Sequence, residues 1–113
     1  MKVIKKDGHI LIADRVMVAQ TFWRRLIGLL GRKGLGEREG LLLRPCAGVH
    51  CMGMRFPIDA VFLDKNNRVI KTANHLAPGF TACQKGAVAV LELKAGLMKE
   101  KNIALGDRLI FIE

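Results

Sequence analysis

Short apolar runs, each closed by turn-forming residues, recur along this chain and leave room for only one amphipathic helix. Val3-Ile4-Lys5-Lys6 and His9-Ile10-Leu11-Ile12 flank Asp7-Gly8. Such a dipeptide predicts a two-residue hairpin turn with positive φ at both positions. Arg15 to Ala19 continues as a further short strand, and Gly40-Leu41-Leu42-Leu43 suits a buried one. Val49 to Met52 reads as a short extended piece. Ile58 to Leu63 and Arg68 to Thr72, joined by Asp64-Lys65-Asn66-Asn67, predict a second hairpin. Residues 74–84 read as a loop turned by Pro78-Gly79, and Ala87 to Leu93 returns to strand. Residues 96–102 hold at most one helical turn, and Gly106-Asp107 turns the chain into a closing strand, Leu109 to Ile112.

The helical period occurs once. Thr21 can cap a helix whose apolar positions are Phe22, Leu26, Leu29 and Leu30, with Gly31 closing it. The expected fold is therefore α+β, one β-rich domain over residues 1–113. A curled or barrel-like, mainly antiparallel sheet would carry one main helix near 21–31. Half of the residues are hydrophobic, yet Tyr is absent and there is one Trp, so the core must be aliphatic.

Charge narrows the partners. The chain carries +9, from 19 Lys plus Arg against 10 Asp plus Glu, which favours anionic partners such as nucleic acid or a membrane surface. The cations are scattered and aromatic stacking residues are scarce, so the nucleic-acid signal is weak. No run of about eighteen apolar residues exists to span a membrane. Lys5, Lys6 and Asp7 interrupt any signal-peptide core, which makes a cytoplasmic location the expectation. Three cysteines leave at least one thiol unpaired within the chain.

The chemistry concentrates in residues 45–59, Pro-Cys-Ala-Gly-Val-His-Cys-Met-Gly-Met-Arg-Phe-Pro-Ile-Asp. Two prolines and two glycines bend this backbone, so soft ligands and a carboxylate crowd into a corner. Glu92 sits inside Val-Leu-Glu-Leu, where strand alternation aims it opposite to Leu91 and Leu93. Carboxylates among aliphatic residues must be paired, hydrogen-bonded or placed in a cleft. Arg25 and Arg32 offer planar forks for Asp59 and Glu92, as a buried ion pair pinning helix to sheet or as anchors for a ligand.

Taken in order, Arg25-x-x-Gly28-Leu29-Leu30-x-Arg32, Gly40-Leu41-Leu42-Leu43, Met54-Arg55-Phe56-Pro57-Ile58-Asp59 and Val61-Phe62-Leu63-Asp64 resemble the domain of unknown function 192 family. Val90-Leu91-Glu92-Leu93-x-Ala95-Gly96 and Gly106-Asp107 extend the likeness from about Ala19 to the end. The resemblance implies a small β-rich α+β protein of bacterial or archaeal type. It supplies no reaction. The family's recurring polar positions fall on Arg25, Arg32, Asp59, Glu92 and Asp107. Other members carry a longer Met-to-Asp spacing than Met54 to Asp59 here.

These readings converge on a binding or accessory module rather than an enzyme. Its pocket would be lined by 45–59, with Met54 and Phe56 as apolar wall and Asp59, Glu92, Arg25 and Arg32 as polar anchors. The first alternative is a metal site of Cys46, His50 and Cys51, which the soft donors Met52 and Met54 would extend toward Cu(I), with Cys83 completing a set of four if its loop folds over. A thiolate of Cys51 activated by His50 is a weaker reading, because such a pair must meet in space. The second alternative is a basic nucleic-acid or membrane-surface binder. A small molecule or a protein partner fits the pocket equally, and no cofactor or oligomeric state follows from these residues.

Overall fold

The computed structural model describes residues 1–19, 34–50 and 55–113. The expected helix over 21–31 lies outside them. β1 (Lys2–Lys5), β2 (Ile10–Ala13), β3 (Arg15–Ala19), β4 (Glu39–Leu43) and β5 (Gly48–His50) come first. β6 (Ile58–Leu63), β7 (Val69–Leu76), β8 (Thr81–Cys83) and β9 (Ala89–Lys94) follow, then α1 (Leu97–Glu100) and β10 (Leu109–Ile112).

Three sheets result, ordered β10-β1-β2, β3-β4-β9-β6-β7 and β5-β8. Among the described residues the pairing is antiparallel except between β3 and β4, which run parallel. A parallel pair needs a long crossover, and residues 20–38 are the connection. All six residues of β6 are buried, as are the first five of β9. A strand covered on both faces reads as a continuous apolar run, which is why Ile58 to Leu63 lacks polar alternation.

Odd-numbered side chains of β6 and β9 (Val61, Leu63, Leu91 and Leu93) join Val3, Ile12 and Leu109 of the three-stranded sheet and Leu97 and Met98 of α1 in one cluster. Even-numbered ones (Ile58, Ala60, Phe62 and Val90) form a second cluster with Leu41 and Leu43. Leu35, Cys46, Phe56 and Ala82 cover that second face. Cys46 and Phe56 of the 45–59 segment, with Ala82 of β8, thus lie on one face of the central sheet.

The β-rich α+β expectation holds, with mainly antiparallel sheets and a helical turn within 96–102. The strands do not close into a barrel, since the ladders end on β3 and β7 in one sheet and on β10 and β2 in another. The first hairpin differs in its turn. Lys6 is helical, a 3-10 turn spans Asp7–His9, and the positive φ values fall on Gly8 (82°) and His9 (50°), not on Asp7. The stretch 74–84 is only partly loop. β7 runs on to Leu76, opposite Ile58, and β8 pairs with β5. The first extends the β6–β7 hairpin past a register slip and the second joins strands distant in sequence, and Asn74 and His75 carry no strand signal of their own.

Candidate functional site

Two carboxylates lie on adjacent strands, with Asp59 opposite Leu93 and Ala60 opposite Glu92. Alternation sends them to opposite faces. Asp59 faces α1. It is fully buried, and three backbone N–H groups donate to it. His75 donates to Oδ1 at 2.9 Å; Gly96 and Met98 donate to Oδ2, each at 3.0 Å. The register of β6 against β7 slips at this point, and His75 takes a positive φ of 51°. A bulge leaves backbone donors outside the ladder, and Asp59 takes up one of them. Its other oxygen caps α1 from a distant strand. Gly96 enters that helix at φ 93°, a conformation that suits a residue without Cβ.

Glu92 faces the other way, toward the cluster that carries Leu41, Ala60, Cys46 and Phe56. It is 4% exposed. Its Oε2 is buried and has no hydrogen-bond partner among the described residues. Burial pushes its carboxyl up to about 7. A group that keeps its proton near neutrality can both donate and accept a hydrogen bond.

At the end of the same face lies a cavity of about 180 Å³ lined by Gly34, Leu35, Phe56, Pro57, Lys94 and Ala95. Lys94 is two residues beyond Glu92 and so projects to the same side of β9. Its ammonium lies 3.8 Å from Glu37 Oε1. The structure thus brings Phe56 and Glu92 to one face and holds Asp59 on the opposite one; neither acid is part of the wall of this cavity or of the larger one described below. Arg25, Arg32, Cys51 and Met54, and the imidazole of His50, lie outside the described residues.

Cys46 is half-buried, and its thiol donates to the Gly48 carbonyl at 2.8 Å. The loop bearing Cys83 does fold over: Cys83 stands opposite Gly48, and its thiol is exposed. Among the described residues no group of three His, Cys, Asp or Glu side chains is placed to hold a metal ion. Asp107 serves a turn, its Oδ2 accepting from the Ala104 N–H at 2.7 Å, with Lys5 Nζ at 3.4 Å. Lys94 was legible in principle, as the next residue on Glu92's face. Leu35 gave no signal, because its contact with Phe56 is made through the fold alone.

The chain is a small β-rich protein whose mixed five-stranded sheet is covered on both faces and, among the described residues, buries one acid toward each. The profile of the uncharacterised ACR family, domain of unknown function 192, matches residues 2–111, and the chain belongs to that family. A UPF0127 protein of Pyrococcus furiosus is 30% identical over 104 residues, 87% of each chain. A protein of unknown function from Novosphingobium aromaticivorans DSM 12444 has a similar solved structure, with a TM-score of 0.85 and 26% identity, covering 97% of this chain and 82% of that one. A solved structure from Sinorhizobium meliloti 1021 has a TM-score of 0.83 at 22% identity, covering 96% and 89%, which is a likeness of fold alone.

Proposed function

We propose that this protein is a small binding module whose ligand enters beside Phe56 and Pro57 and places a hydrogen-bonding head against Glu92. One observation carries this reading: a buried carboxyl has an oxygen with no partner among the described residues, on the sheet face that Cys46 and Phe56 cover. Leaving a polar group buried and unpaired costs about 1–3 kcal/mol. Asp59, one strand away, avoids that cost with three donors. A structural role alone accounts for Asp59 and leaves Glu92 unexplained. Strongly perturbed carboxyls beside apolar clefts are typical of sites. The cavity of about 180 Å³ suits a small, mostly apolar group rather than a large cofactor.

Amide NMR titration with n-butanol, n-butyramide and n-butylamine tests the reading. The expected result is saturable shifts at Leu35, Phe56, Lys94 and Ala95, lost in Phe56→Ala. Affinity should change with pH around neutrality, and Glu92→Gln should remove that change. If none of the three probes perturbs these amides, the module has no ligand cleft here.

A further inference from the structure

A larger cavity, of about 620 Å³, opens on the other side of the molecule between the end of β4, the β6–β7 turn and β10. This volume lies within the ordinary range for small-molecule sites, roughly 300–1,000 Å³. Its inner wall is apolar, with Val18, Leu42, Leu109 and Phe111. Its polar wall carries three cations, Arg44, Lys65 and Arg108, against one acidic side chain, Glu113. An apolar floor under a cationic rim selects a molecule with an apolar body and an anionic head.

Arg44 is the organising residue. Its Nη2 donates to Asn67 Oδ1 at 2.7 Å, and its guanidinium lies 5.8 Å from the centroid of the Phe111 ring. Those two contacts hold the planar group in place without neutralising it. No carboxylate lies within ion-pair distance of Arg44 among the described residues. Its Nε is buried and has no acceptor among the described residues. A guanidinium fixed by a ring and an amide, with no carboxylate beside it among the described residues, is prepared for an oxyanion. We infer that this cavity is a binding site for a small organic anion, an apolar or aromatic body bearing a carboxylate or phosphate that Arg44 engages, with Lys65 and Arg108 adding field at the rim. It is separate from the cavity beside Phe56 and Pro57 and does not depend on it.

The test uses the full chain and four probes: benzoate, phenyl phosphate, inorganic phosphate and the neutral benzyl alcohol. Amide NMR titration should show saturable shifts at Asn66, Asn67 and Phe111 with benzoate or phenyl phosphate. The stronger of the two identifies the head group. Benzyl alcohol and inorganic phosphate, each lacking one half of the recognised chemistry, should bind at least about tenfold more weakly. Arg44→Gln should weaken binding of the preferred anion about tenfold or more. Lys65→Gln, at an exposed site that cannot upset folding, should weaken it about two- to threefold. The distant exposed variant Lys99→Gln should bind as the wild type does. Equal binding of benzyl alcohol, an effect of Lys99→Gln as large as that of Lys65→Gln, or shifts centred elsewhere would overturn the assignment.

Discussion

Asp59 and Glu92 are the same functional group, buried on neighbouring strands of one sheet, and the fold treats them in opposite ways. Asp59 accepts three backbone N–H bonds and ties a bulge in β7 to the first turn of α1. Glu92 has a buried oxygen with no partner among the described residues and a carboxyl raised by burial alone. The difference teaches that burial of an acid is not itself a sign of function. A saturated carboxylate is part of the scaffold, whereas an unsaturated one is a standing cost that the fold alone leaves unexplained.

The largest expected effect breaks the scaffold side of this contrast. Asp59→Ala strands three backbone donors at once, that of Met98 buried and those of His75 and Gly96 part-buried, and chemical denaturation should show a loss of about 3–5 kcal/mol. Hydrogen exchange should show that protection is lost first at His75, Gly96 and Met98. A loss below about 1 kcal/mol would mean that those bonds are not structural.

Next comes Glu92, read through pH. Below 4.5 the carboxyl is protonated in both folded and unfolded chains and has no effect. As pH rises toward 7 the unfolded chain releases its proton while the folded one keeps it, so stability falls, and the loss levels off above about 7. Wild-type stability should therefore drop by about 3 kcal/mol from this group between pH 5 and pH 8. Glu92→Gln should remove that component, and Glu92→Leu should be more stable than wild type at pH 8. An unchanged pH profile in Glu92→Gln would erase the contrast with Asp59.

Gly96→Ala probes the scaffold more gently. The backbone there stays left-handed at φ 93°, so a Cβ should cost about 1–2 kcal/mol by denaturation. At the small end, Lys94→Ala should change stability by no more than about 0.5 kcal/mol. Its partner Glu37 is 70% exposed, and solvent screens the pair. Any larger effect would assign Lys94 a structural part in the cleft that the contrast does not give it.

The central strands were legible because burial on both faces writes itself as nearly continuous apolar runs, as in Ile58 to Leu63 and Ala89 to Leu93, each interrupted by a single acid. Glu92 was legible too, since a lone acid in such a run must face one side or the other. Asp59's role was not, because its donors come from His75, Gly96 and Met98, remote in sequence and brought together only by a register slip and a helix start. The parallel pairing of β3 with β4 was equally silent, since strand direction depends on the crossover and not on the strand residues. Arg44 escaped notice because both of its contacts, Asn67 and Phe111, are distant in sequence. A strand-ending arginine before proline otherwise reads as punctuation.

The unpaired acid of β9 is most directly tested by following the side-chain carboxyl carbon of Glu92 through a pH titration by NMR. A midpoint near 7 is expected, moving when a ligand fills the adjoining cleft. A midpoint at the ordinary 4.5 would show that water or a partner already satisfies this group, and the contrast on which the proposed binding role stands would be gone.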